Sequence, residues 1–164
     1  MEPIGELRFH RLLVAIDGSK SSELALAAAV TIARRDNSAL TLITVAPDVV
    51  AEATRWPAWG ATYNCDQDGA DAAAERALRE AADRVPEDIP VTRVVRRGKA
   101  GPAIVAAAAE EPYDAVLMGA RGVGRIEALM GSVSSYVLHH ADTAVFVAHA
   151  PRDTVDEPSA ASAA

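Results

Sequence analysis

The chain has 164 residues; half are apolar, 4% are aromatic, 36 are alanine, and 16 Lys+Arg against 23 Asp+Glu leave a net charge of -7. That length suits one compact domain. The acidic balance removes DNA, RNA and anionic membranes as partners, because polyanion affinity rests on clustered Lys and Arg.

The elements follow in chain order. Residues 1–8 read as an N-terminal extension with no apolar leader run. A single cysteine, Cys65, rules out an internal disulfide and a cysteine-based zinc cluster, so a cytoplasmic location is expected. No apolar run approaches the roughly 20 residues that span a bilayer. Leu12-Leu13-Val14-Ala15-Ile16 is a continuous apolar run halted by Asp17-Gly18-Ser19. Continuous rather than alternating hydrophobicity marks a strand buried on both faces, as in a parallel sheet. Ser19 or Ser21 then caps a helix over 22–35. The β-branched run 39–46 is a second strand, ended by Pro47.

Residues 47–67 have no clear period and hold Trp56 and Trp59 around Pro57; they read as a long connection. A helix rich in Ala, Arg and Glu follows over 71–84. The partly alternating run 91–96 suits an edge strand, and Pro102 opens a helix over 102–110 in its first turn. A fourth strand over 114–118 runs into Gly119. A last helix spans 132–140 and a fifth strand 144–148. Residues 151–164 lack apolar period and read as a disordered tail, leaving one domain over 9–150. Alternating strands and helices joined by right-handed crossovers predict an α/β fold, a parallel sheet with helices on both faces.

In such sheets ligands bind beyond the carboxyl ends of the strands. Asp17-Gly18-Ser19, Val45-Ala46-Pro47 and Met118-Gly119-Ala120-Arg121-Gly122 sit at such ends. Glycines at 119, 122, 124 and 131 allow close backbone approach, and Gly131-Ser132 opens a helix whose N-terminus can hold an anion. Phosphate is the natural occupant, with hydroxyls from Ser132 and Ser134 and charge from Arg121 and Arg125. Two familiar phosphate motifs fail: Gly98-Lys99 lacks the upstream glycine of a P-loop, and Glu127 stands where a dinucleotide fingerprint needs its third glycine. His139-His140 reads as a cation at a helix end, and Cys65 has no neighbour that would activate it.

The Val14-Ala15-Ile16-Asp17-Gly18-Ser19 start and the Met118-Gly119-Ala120-Arg121-Gly122 … Gly131-Ser132-Val133-Ser134 ending resemble the universal stress protein family. Ser135 to Asp142 and the last strand resemble it as well. The resemblance implies a three-layer, doubly wound, five-stranded parallel sheet, Rossmann-like and of the adenine nucleotide alpha hydrolase-like type, with strand order 3-2-1-4-5. Members that bind ATP carry glycine, two residues, glycine, nine residues, then glycine and serine or threonine. Here Gly122 and Gly131 are separated by eight residues, one fewer.

Carried across by similarity, Ala15 and Val45 border adenine, and the Val45 main chain bonds to the base. Met118 packs on the nucleotide. Gly119, Gly122, Gly131, Ser132 and Val133 wrap ribose and phosphates, and Ser134 adds a hydroxyl. Asp17 lies near the ribose, the phosphates or a Mg²⁺ brought with the nucleotide; its other reading is an Asx-turn residue. The expectation is an ATP-binding regulatory protein with slow hydrolysis at most. It dimerises through the last strand, which would otherwise expose an unpaired edge. The competing reading is a dimeric interaction module without nucleotide, which the shortened loop favours.

Overall fold

The computed structural model describes residues 7–51, 66–120 and 131–150; among them five strands alternate with four helices, and residues 49–51, read from sequence as part of a connection, are helical as well. The alternating elements are β1 (Arg11–Ala15), α1 (Lys20–Asp36), β2 (Ala39–Ala46), α2 (Gln67–Ala82), β3 (Val91–Arg97), α3 (Ala100–Glu110), β4 (Ala115–Gly119), α4 (Ser132–His140) and β5 (Ala144–Ala148). Every pairing is parallel, in the order β3-β2-β1-β4-β5. The sheet and order match expectation, with β3 at one edge.

β1 is apolar at every central position because it is covered twice. Leu12 and Val14 join Leu26 and Ala29 of α1 and Leu78 and Ala81 of α2 on one face. Leu13 and Ala15 join Ile104 and Ala107 of α3 and Val137 of α4 on the other. Alternation along the strand thus sends neighbouring side chains into two separate cores. Leu12, Leu13 and Val14 are wholly buried, each contributing about 1.5–3 kcal/mol of transfer energy.

Helix boundaries moved for identifiable reasons. Ser19, rather than Ser21, caps α1: its Oγ accepts the Ser22 N–H at 3.1 Å. The helix therefore begins two residues before the predicted 22, and Ser21 is buried within its first turn. Asn37 ends it in the left-handed region, φ 58°, giving its N–H to the Ala33 carbonyl. α2 begins at Gln67, four residues before the predicted 71, because the Asp66 carboxylate accepts the Gly69 N–H at 2.8 Å. It stops at Ala82 rather than 84, as the chain turns to bury Val85 and Ile89. α3 begins at Ala100 instead of 102. β1 and β4 each sit one residue from their predicted limits. Asp114 stays outside β4, and its side chain accepts the Arg11 N–H at 2.8 Å at the head of β1.

Asp36 closes the opposite end of α1. The Arg35 guanidinium beside it, bonded at 2.6 and 2.8 Å, and the Phe9 N–H at 3.0 Å hold its carboxyl down at about 2. A carboxylate whose folded value lies below the ordinary 3.8 adds stability at higher pH. That stability is present above about pH 4 and is lost as pH falls toward 2. The urea midpoint is expected to drop across that window, and Asp36→Asn is expected to drop less. Equal losses in the two proteins would overturn the assignment.

Candidate functional site

A cleft of about 790 Å³ opens beyond the carboxyl ends of β1, β2 and β4. It sits where the strand order reverses, since β1 crosses to β2 on one side while β4 occupies the other. Of the twelve residues singled out by sequence, nine line it: Ala15, Asp17, Val45, Met118, Gly119, Gly131, Ser132, Val133 and Ser134. Arg121, Gly122 and Arg125 lie outside the described residues.

Gly119 is required by a close approach. A Cβ there would stand 2.7 Å from the Ser21 Cβ, 2.8 Å from the Ser21 carbonyl carbon and 2.8 Å from the Ser22 nitrogen. The end of β4 thus lies against the first turn of α1, with no room for a side chain. One residue on, the Ala120 N–H reaches the Ala148 carbonyl at 2.8 Å, fastening this point to β5.

The Ala120 carbonyl accepts the Gly131 N–H at 2.7 Å and the Ser134 hydroxyl at 2.8 Å. The chain therefore returns to the point from which it left. Ser134 was expected to offer its hydroxyl to phosphate. Instead, that buried hydroxyl donates to the Ala120 carbonyl and lies 3.0 Å from the Gly131 carbonyl. It ties the two stems together.

Gly131 caps α4 without a side-chain bond, and the first intrahelical donor is the Ser135 N–H, to Gly131 O at 3.0 Å. The N–H groups of Val133 and Ser134 precede that donor, and both residues line the cleft. They form the positive end of the helix dipole.

On the β2 side, Ile16 N–H to Ile43 O at 2.8 Å is the bond that continues the β1–β2 ladder past β1. The Ile16 carbonyl receives the Thr44 hydroxyl at 2.9 Å. Ladder alternation turns the next residue, Val45, so that its N–H and C=O point toward β1, over the cleft. Asp17 is exposed, and its Oδ1 accepts the Ser19 N–H at 2.9 Å. This is the Asx-turn its other reading called for, and Gly18 completes the turn at φ 77°. Asp17 is the ionisable group among the described lining residues.

The wall supplied by α2 and α3 is apolar and was missed from sequence. Ala70, Ala73, Ala74 and Ala77 of α2 form one side, with Ala100 and Ile104 of α3 beyond. Their spacing of three and four puts the α2 alanines on a single face. That signal was present, yet in a chain with 36 alanines it does not differ from a core stripe.

Residues 8–149 match the family model described as the universal stress protein family. A universal stress protein of Mycolicibacterium smegmatis is 30% identical over 141 residues, 85% of this chain. The chain spans 48% of that relative's length. The solved universal stress protein UspA from Lactobacillus plantarum superposes with a TM-score of 0.74 at 26% identity, covering 87% of this chain and 99% of that one. A universal stress protein solved in complex with cAMP gives 0.65 at 26% identity, over 88% of this chain and 100% of that one.

Proposed function

The chain belongs to the universal stress protein family, and from that premise we propose that it is a regulatory protein that binds an adenine nucleotide, ATP with Mg²⁺. The observation that carries this reading is the meeting of the β1 and β4 ends with the N-terminus of α4 in one cleft of about 790 Å³. The volume is within the usual range for small-molecule sites, and a helix N-terminus favours phosphate. A similar protein has been solved with cAMP, which supports an adenine ligand.

In this reading Ala15, Val45 and Met118 flank the base, while the Val45 main chain offers a donor and an acceptor. Gly119, Gly131, Ser132 and Val133 wrap ribose and phosphates. Gly122, Arg121 and Arg125 complete the phosphate side, as their positions in the chain imply. The metal is chemically compatible with this lining, because Mg²⁺ takes one or two carboxylates plus phosphate oxygens, and Asp17 supplies one carboxylate. Slow turnover at most is part of the same reading.

Denaturing the purified protein and weighing the released small molecules tests this. An adenine nucleotide, and micromolar calorimetric binding of Mg·ATP, about -8 kcal/mol, are expected. No binding at millimolar ATP would overturn it in favour of the interaction-module reading.

The same reading includes a cytoplasmic homodimer joined through β5. The β3 edge exposes Arg93 and Arg97, whereas β5 reads Ala-Val-Phe-Val-Ala with Phe146 42% exposed. Charges blunt an edge and apolar residues invite pairing. Sedimentation at micromolar concentration is expected to give twice the chain mass, and a monomer there would sink the proposal. No described helix is long and apolar enough to cross a membrane.

A further inference from the structure

The wall made by α2 has an unusual support. The buried residues of this helix are Ala74, Leu78 and Ala81, all beyond its first turn. Its opening turn, which carries Ala70 to the cleft, is therefore not held by core packing. The exit of β2 is similarly placed, since Pro47 has no N–H with which to continue the ladder.

One side chain joins these two segments. The Gln67 Oε1 accepts the Val49 N–H at 3.1 Å, and its Nε2 donates to the Pro47 carbonyl at 3.1 Å and to Asp71 Oδ1 at 2.8 Å. The other Asp71 oxygen accepts from the Arg97 guanidinium at the end of β3. Arg97, and then Gln67, hold the Asp71 carboxyl below the usual carboxylate range. Both Pro47 and Ala70 line the cleft, so at the mouth, beyond the core in which Leu78 and Ala81 meet Leu40 and Leu42, one amide bridges the two walls.

We propose that Gln67 is a positioning residue for the nucleotide: its amide, backed by Asp71 and Arg97, sets the gap between the β2 exit and the α2 wall, and with it the choice of base. This deepens the adenine-nucleotide reading and rests on it. Only an amide satisfies the pattern, which needs an acceptor for Val49 and a donor for Pro47 and Asp71. Glutamate has the same shape but would set acceptor against acceptor and add a charge beside Asp71.

Calorimetry with Mg·ATP and Mg·GTP on the full chain tests this, using wild type, Gln67→Ala and Gln67→Glu, with Tm measured alongside. Both variants are expected to bind ATP about five- to tenfold more weakly. The ATP-to-GTP affinity ratio is expected to fall toward one, with Tm held within about 3 °C of wild type. Gln67→Glu rescues nothing. Val49 amide exchange is expected to quicken in both variants without nucleotide.

Unchanged ATP affinity, equal weakening of ATP and GTP, or unfolding of both variants would each overturn the positioning role while leaving nucleotide binding standing. A wild type that binds neither nucleotide, with normal Val49 protection, would sink the functional reading and this proposal with it.

Discussion

Gly119→Ala is expected to cost about 1–3 kcal/mol of stability, lowering Tm by about 2–12 °C, and to abolish nucleotide binding. The added Cβ would meet Ser21 and Ser22 atoms at 2.7–2.8 Å, and two of those three contacts are main chain. Main chain cannot swing aside as a side-chain tip can. Either β4 retreats from α1 or the first turn of α1 opens, and the Ser19 cap at 3.1 Å goes with it. Both movements disturb the cleft, because Asp17, Ser22, Gly119 and Ala120 line it together. Thermal unfolding beside calorimetry checks this. A Gly119→Ala protein with wild-type Tm would show that the contact between these elements is looser than described.

Ala73→Trp is expected to act in the opposite manner, weakening nucleotide binding at least about a hundredfold, roughly 2.8 kcal/mol, with little change in Tm. Ala73 is exposed and lines the cleft, so an indole there enters the space proposed for the ligand without displacing core atoms. The same change at Ala74, which is buried and belongs to the helix's packed face, is expected to unfold the domain by overpacking. The pair separates occupation of the cleft from damage to the fold. If Ala73→Trp bound Mg·ATP as wild type does, the α2 face would not border the bound nucleotide.

The two variants also show why the site was only partly legible in the chain. The ends of β1 and β4 were visible, because an apolar run stopping at Asp17-Gly18 or at Gly119 announces where a strand leaves the sheet. Gly131-Ser132 was visible for the matching reason at a helix start. What each group does there was not. Ser134 looks like a phosphate donor until its hydroxyl is found 2.8 Å from the Ala120 carbonyl, and that carbonyl lies 14 residues away along the chain.

The sequence by itself determined the fold class. Four short apolar runs and one partly alternating run, separated by helical segments, admit few arrangements other than a covered parallel sheet. It also determined which ends of those strands carry glycine and serine. Only the tertiary structure decided which residues meet there. Gly119 is needed because of Ser21, the alanines of α2 matter because they face β2, and Gln67 matters because Pro47 and Asp71 lie on either side of it. The physical reason is range. Hydrophobic period and capping act within a few residues and are written locally, whereas steric fit and hydrogen-bond partnership depend on chains brought together from afar.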